Sequence, residues 1–325
     1  MLTGNLEIHE IFEKNLAKFL GKEDALVFSS GYLACVSCIQ GLATKKDLIV
    51  MDKLCHNSLT TGATLSRAKV VKFKHNDFKH AEQVIKESYN KKGKIYIVIE
   101  SVYSMDGDIG DLPTARKLAD KYGATLIMDE AHGMGTIGKT GRGAEEHFNY
   151  VARADLICGS LTKSFGSVGG YICCSAKWRL HYTFTANGAI FSAPISAFNC
   201  GAAIKSLEIL ENHPERVQKL QENAQYMKEK FETNNFNLGG AITCVMPVIF
   251  RDPIQMMDMH VHMLRKGLFA AAVVAPACAL DAPRFRICTT YRQTKEEIDY
   301  LVDTMIEARS LCKESDRVKE LLAAQ

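Results

Sequence analysis

The stretch "ATLIMDEAHGMGTIGKT", Ala124–Thr140, admits two incompatible readings, and the choice between them decides the fold. Gly133–Thr140 satisfies the phosphate-loop pattern GxxxxGK[ST], and Asp129–His132 spells the acidic box DEAH. A phosphate loop works because its amides and lysine wrap the phosphates while a helix begins at that lysine. Here "GRGAEEHF" follows, and Gly141 and Gly143 weaken a first helical turn. The acids are also misplaced. Asp129 and Glu130 lie on the strand that would feed the loop, where two carboxylates repel phosphates unless a metal intervenes. The nucleotide-hydrolase reading is set aside on these grounds. What remains is an apolar strand that ends in a carboxylate.

Similar runs recur along the chain: "DLIVMD" (47–52), "KVVKFK" (69–74), "KIYIVIES" (94–101), "DLICGS" (155–160) and "GYICCS" (170–175), besides "ATLIMDE" (124–130). Helical patterns separate several of them, including Phe78–Asn90 and Leu112–Tyr122. Continuous apolar strands alternating with helices predict an α/β fold with a mostly parallel central sheet sandwiched by helices. Such sheets bind ligands beyond the carboxyl ends of their strands. From about Ile195 to Asn235 the pattern turns long and helical. "CVMPVIF", "GLFAAAVV" and "RFRICT" then read as a small second sheet, and "TKEEIDYLVDTMIEARSL" as a terminal amphipathic helix. The expected organisation is a large α/β domain over residues 1–200 and a smaller C-terminal α+β domain over 201–325, joined by a long helix.

With 325 residues, 47% of them hydrophobic and 24% charged, the chain has the composition of a globular protein with a sizeable core. A net charge of +3 gives no reason to invoke nucleic acid. Eleven cysteines, an odd number without regular spacing, and a single CxxC (Cys35, Cys38) argue against a disulfide framework or a zinc site. Reduced thiols and a cytoplasmic location are expected. No signal peptide is read at the N-terminus. Ala25–Ala43 is uncharged and long enough to span a bilayer, but its polar side chains and glycines favour a buried loop and helix.

The strand ends hold the residues that an aldehyde cofactor such as pyridoxal phosphate requires. It needs a lysine amine, a carboxylate against its pyridine nitrogen, a flat group on the ring, and donors for its phosphate. Lys163, in "GSLTKSFGSVGGYI", supplies the amine. Asp129 is the buried carboxylate wanting a cation, and His132 follows three residues later. His56, in "KLCHNS", follows another strand, and "SSGY" (Ser29–Tyr32) opens a helix whose N-terminus suits a phosphate.

These segments resemble one family. "FSSGYLACVSCIQGL", "DKLCHNSLTTGATLSRAKVVKFKHND", "ESVYSMDGDIGDL", "DEAHGMGTIGKTGRGAEEHF" and "SLTKSFGSVGGYI" are similar, in order, to the α-oxoamine synthases, which are fold-type I pyridoxal-phosphate enzymes. The resemblance covers Gly4 to about Glu307 and is nearest to serine palmitoyltransferase-like members. It implies a Schiff base at Lys163, Asp129 on the pyridine nitrogen, His132 at the ring oxygen and His56 stacked on the ring. Ser104 and Ser160 match cofactor-pocket positions, Gly31 and Tyr32 the segment beside the phosphate, and Arg286 the position that holds the substrate carboxylate. No metal is implied.

The implied activity is a decarboxylating, carbon–carbon bond-forming acyl transfer. A small amino acid, L-serine by preference, would condense with an acyl thioester of coenzyme A or a carrier protein. 8-Amino-7-oxononanoate synthase (alanine and a pimeloyl thioester) and a glycine C-acetyltransferase-like activity are the alternatives within the family. A homodimer is implied, and no transmembrane segment. Three departures stand out. The family carries further residues before the segment that opens this chain. Gln293 stands where it usually has histidine. Ala193 stands where a hydroxyl often meets the phosphate, leaving Ser192 as the substitute. They motivate a reading of another class, a catalytically impaired partner subunit, against which the presence of Lys163 weighs.

Overall fold

The computed structural model describes residues 4–90 and 92–312. The chain forms two compact units. One runs to Tyr103 and resumes over Ile109–Val217; the other takes Ser104–Asp108 and the chain from Gln218. This differs from a division at 200/201, and the short Ser104–Asp108 piece has a physical reason for its assignment. Buried Arg284 donates from Nη1 to the Met105 carbonyl and to Asp106 Oδ1, each at 3.0 Å. The Gly107 carbonyl accepts from the Ile242 amide, the Thr243 amide and the Thr243 hydroxyl.

In the first unit, β1 (Asp24–Phe28), β2 (Leu48–Asp52), β3 (Lys69–Phe73), β4 (Ile95–Glu100), β5 (Thr125–Asp129), β6 (Leu156–Ser160) and β7 (Gly170–Cys174) form one sheet. Its order is β1-β7-β6-β5-β4-β2-β3. The strands from β3 through β2, β4 and β5 to β6 run parallel, while β7 is antiparallel to both β6 and β1. All five residues of β2 and all six of β4 are buried, because the sheet is covered on both sides. Val50, Ile97 and Met128 point into one apolar cluster, and Ile49, Val98 and Ile127 into another on the opposite face. Hence the apolar runs are continuous rather than alternating.

The covering helices are α1 (Glu7–Leu20), α2 (Gly31–Gln40), α3 (Asn57–Ser66), α4 (Phe78–Ser88), α5 (Leu112–Tyr122), α6 (Ala144–His147), α7 (Ala176–Thr185), α8 (Asn187–Ile190) and α9 (Ala197–Asn212). α5 has the bounds its sequence signals give: Asp111 caps it through the Thr114 amide, Pro113 lies in its first turn, and Gly123 closes it at φ 58°. The uncharged Ala25–Ala43 stretch contains most of β1 and all of α2. Among the described residues no helix is long and apolar enough to cross a membrane.

The expected long connecting helix is two helices, α9 and α10 (Glu215–Thr233), interrupted at His213–Pro214. Proline lacks the amide a helix needs and drives the residue before it out of the helical region; His213 sits at φ −131°, ψ 57°. In the second unit β8 (Val245–Ile249), α11 (Pro253–Arg265), β9 (Ala271–Val273), β10 (Arg284–Cys288) and α12 (Lys295–Leu311) follow. Their antiparallel sheet has the order β8-β10-β9, and its core gathers Met227, Phe231, Val248, Phe285 and Met305. Thr294 and Glu297 form a capping box at the start of α12.

Candidate active site

Asp129 is the last residue of β5 and is 4% exposed. The Ala131 amide donates to its Oδ1 at 2.9 Å, and the Cys35 thiol to its Oδ2 at 3.4 Å. Burial pushes this carboxyl above the ordinary carboxylate range. The two hydrogen bonds and the charges of His56 and Lys163 pull the other way. No ion pair involves Asp129 among the described residues. An isolated buried carboxylate costs several kcal/mol, so the position suits a cationic ligand atom such as a protonated ring nitrogen. The electrostatic reach of His56 and Lys163 to Asp129 brings three sequence-picked residues to one end of the sheet.

Lys163 lies in the turn that follows β6, exposed, and its Nζ donates to the Thr162 hydroxyl at 3.2 Å. Ser160 ends β6; its hydroxyl shares a 2.8 Å bond with that of Thr162 and accepts from the Thr162 amide. Facing it is Gly31, the first residue of α2. A Cβ there would stand 2.6 Å from the Ser160 Cβ, and a Cβ on Gly170 would stand 2.5 Å from the Gly31 Cα. Only glycine lets the helix start press so closely on the strand ends. Ser30 caps that start in extended backbone by accepting from the Leu33 amide, and the first-turn amides that follow are those an anion would use. Tyr32 is half-exposed and donates to the Thr61 hydroxyl at 3.0 Å.

His56 is the N-cap of α3, with its Nδ1 2.7 Å from the Ser58 hydroxyl. Its backbone amide donates to Glu100 Oε1. Glu100 ends β4 in register with Asp129, so a buried carboxylate on the neighbouring strand fixes the histidine's backbone. His132 occupies the turn after Asp129, where its carbonyl accepts from the Thr136 hydroxyl. Ser192 is exposed just beyond α8, beside exposed Ala193. Ser104 and Arg286 belong to the second unit, where Arg286 Nε donates to the Ser104 carbonyl at 2.6 Å. Gln293, also there, accepts the Thr290 amide on its side chain.

Cys35 and Glu100 are the neighbours that sequence reasoning missed. Glu100 had a signal, a carboxylate at a strand end like Asp129; Cys35 had none, since it lies 94 residues from its partner. The phosphate-loop pattern is structurally empty as well. No helix starts at Lys139, and the next one, α6, is a four-residue turn beginning at Ala144.

The model of the aminotransferase class I and II family matches residues 1–305, and the chain belongs to that family. It is 37% identical over 303 residues to the 8-amino-7-oxononanoate synthase of Alkaliphilus oremlandii, covering 93% of this chain and 77% of that protein. It is 35% identical over 310 residues to the serine palmitoyltransferase of Bacteroides thetaiotaomicron, covering 94% and 78%. Both are α-oxoamine synthases, as the motif resemblance implies. Among solved structures, a serine palmitoyltransferase of S. paucimobilis with bound PLP and myriocin superposes with a TM-score of 0.92 at 28% identity, over 96% of this chain and 79% of that one. The fold is thus that of the fold-type I pyridoxal-phosphate enzymes. An 8-amino-7-oxononanoate synthase of Francisella tularensis shares the fold at a TM-score of 0.80 and 24% identity, over 94% of this chain and 88% of that one.

Proposed function

We propose that this chain is a pyridoxal 5'-phosphate-dependent α-oxoamine synthase that condenses L-serine with an acyl thioester, releasing carbon dioxide and free thiol. The observation that carries the reading is Asp129, a buried carboxylate without an ion-pair partner among the described residues, within electrostatic reach of Lys163 and His56. The likeness to named α-oxoamine synthases over more than nine-tenths of the chain supports it.

When bound, the cofactor supplies an electron sink for a carbanion at the amino acid Cα. Asp129 would hold its pyridine nitrogen in the protonated form. Lys163 would hold its aldehyde carbon, His132 its ring oxygen and His56 its ring face, with Gly31, Tyr32, Ser104, Ser160 and Ser192 lining its pocket. With the cofactor in place, Lys163 would also be the base for the Cα proton. Arg286 is the residue for the substrate carboxylate, its guanidinium suited to a bidentate grip. Holding both substrates on one site supplies much of the acceleration, as oriented reactants need not find each other.

With L-serine and a long acyl chain the product is a sphingoid-base precursor, which places the reaction in sphingolipid biosynthesis. L-Alanine with a pimeloyl thioester is the second reading, favoured by the relatives that are 8-amino-7-oxononanoate synthases. A homodimer is supported by the exposed aromatic rings of Phe184, Phe191 and Phe198. The thiol-rich composition supports the cytoplasm. The test is release of free thiol and carbon dioxide from serine, alanine or glycine paired with palmitoyl- or pimeloyl-coenzyme A. Turnover with serine and palmitoyl-coenzyme A is expected. Turnover confined to alanine and pimeloyl-coenzyme A selects the second reading. An isolated chain that takes up no cofactor and turns over no pairing is the partner subunit instead.

A further inference from the structure

Behind Asp129 lies a group of buried thiols that the proposed reaction does not use. The potential ligand atoms of Cys35, Asp129 and Cys158 all lie within 4.8 Å of one another. Cys158 is the β6 residue in direct register with Asp129, while Cys35 comes from α2. Gly31 and Cys35 are four residues apart on that helix and therefore share a face. The same face that presses Gly31 onto Ser160 thus delivers the Cys35 thiol to Asp129 Oδ2 at 3.4 Å.

We propose that Cys35 is a positioning residue for Asp129: its S–H, backed by Cys158, holds Oδ2 so that the carboxylate faces the ring nitrogen in a single orientation. This rests on the cofactor reading above. The Ala131 amide holds Oδ1 and Cys35 holds Oδ2, so donors on two different elements fix the carboxylate plane. A thiol can do this only while protonated. The Cys158 hydrogen bond lowers the Cys35 thiol, but burial and the Asp129 charge outweigh it and push the thiol up to about 11. A thiol is also a weak donor. It orients the carboxylate while reducing its proton affinity less than a hydroxyl or amide would. The trio has the spacing of a soft-metal site, yet a metal would require thiolates. Hydrogen bonds with Cys35 and Cys38, together with burial, hold the proton on Cys158, and burial holds that on Cys35.

The test compares the full-length wild type with Cys35→Ala and Cys35→Ser. It measures the dissociation constant for pyridoxal phosphate and the pH midpoint of the bound cofactor's visible band. The other groups acting on Asp129, namely His56, Lys163 and neighbouring Glu130, stay in place in both variants. Cys35→Ala is expected to weaken binding about tenfold and move the midpoint, because one charge-assisted donor is lost. Cys35→Ser, which keeps a donor, is expected to return affinity to within about threefold of wild type. Wild-type affinity and midpoint in Cys35→Ala overturn the inference, as does a Cys35→Ser protein as weak as Cys35→Ala. Should Cys35→Ala not fold, the serine variant decides alone: affinity within threefold supports the role and a tenfold loss overturns it. A wild type that takes up no cofactor overturns the functional reading and this inference with it. Uptake by wild type with unchanged variants overturns this inference only.

Discussion

Gly31 and Ser160 meet so closely that a Cβ added to Gly31 would stand 2.6 Å from the Ser160 Cβ and 3.0 Å from its Cα. The contact sets the start of α2 against the end of β6, three residues before Lys163. Gly31→Ala must push the helix off the strand ends or rotate Ser160. The expected cost is about 1–3 kcal/mol of stability, typical of overpacking, together with weakened cofactor uptake. Urea unfolding and a cofactor titration measure both. A Gly31→Ala protein with wild-type stability would show that the helix start has room to move.

Asp129→Asn removes the charge while keeping the shape. Under the proposed function, the cofactor's ring nitrogen would then face a neutral amide. Loss of one partner of a buried charge pair is worth about 3–5 kcal/mol. Turnover is therefore expected to fall by a factor of about 10²–10³ or more, by the tenfold-per-1.4 kcal/mol relation. Steady-state kinetics beside a folding control check this.

Glu130 sets a pH dependence of stability. It is 1% exposed, and burial pushes its carboxyl up to about 8, against the Ala144 amide and the Ser101 hydroxyl. Between the ordinary glutamate value and about 8, the folded chain binds a proton that the unfolded chain has lost. The stabilisation is complete below the unfolded value and is lost as pH rises through the folded one. Glu130→Gln lacks this slope. Relative to that variant, wild type should lose up to about 1.4 kcal/mol per pH unit across the window and none beyond it. Urea unfolding of both proteins at a series of pH values reads the difference; parallel curves would contradict the assignment.

Arg284 ties the Ser104–Asp108 segment to β10 through Met105 and Asp106, from a side chain only 7% exposed. Arg284→Met leaves Asp106 and the Met105 carbonyl without their donor. A destabilisation of about 1–3 kcal/mol is expected, since hydrogen bonds from a charged donor are lost while Asp106 stays partly open to solvent. Limited proteolysis at this segment is a second readout, with faster cleavage expected in the variant.

Much of this architecture is legible in the residues, because burial on both faces writes each inner strand as an unbroken apolar run. Five strands of the large sheet, β2 and β4 to β7, are legible in that way, each to within a residue or so; β3 lies at the sheet edge, only Phe73 of it is buried, and its two lysines interrupt the apolar run. β1 is not legible, since Asp24–Phe28 runs into the uncharged "SSGYLACVSCIQGLA" without a charged boundary. The interruption between α9 and α10 is written in Pro214, but the helical periodicity on both sides of it masks the break. Asp129, His56 and Lys163 were visible because each closes or follows a strand. Cys35 was not, because a thiol inside an apolar helix carries no local mark of the carboxylate it meets. Nor could composition show that Ser104, Met105, Asp106 and Gly107, just after β4, hydrogen-bond with residues more than a hundred positions later.

Everything in the proposed chemistry depends on a covalent bond between Lys163 and the cofactor. The most direct measurement is the visible absorption spectrum of the purified protein mixed with pyridoxal phosphate, wild type beside Lys163→Ala, followed by borohydride reduction and peptide mapping. A visible band is expected in wild type only, and after reduction a stable adduct on the peptide that contains Lys163. A wild type without the band, or an adduct on another lysine, would contradict it.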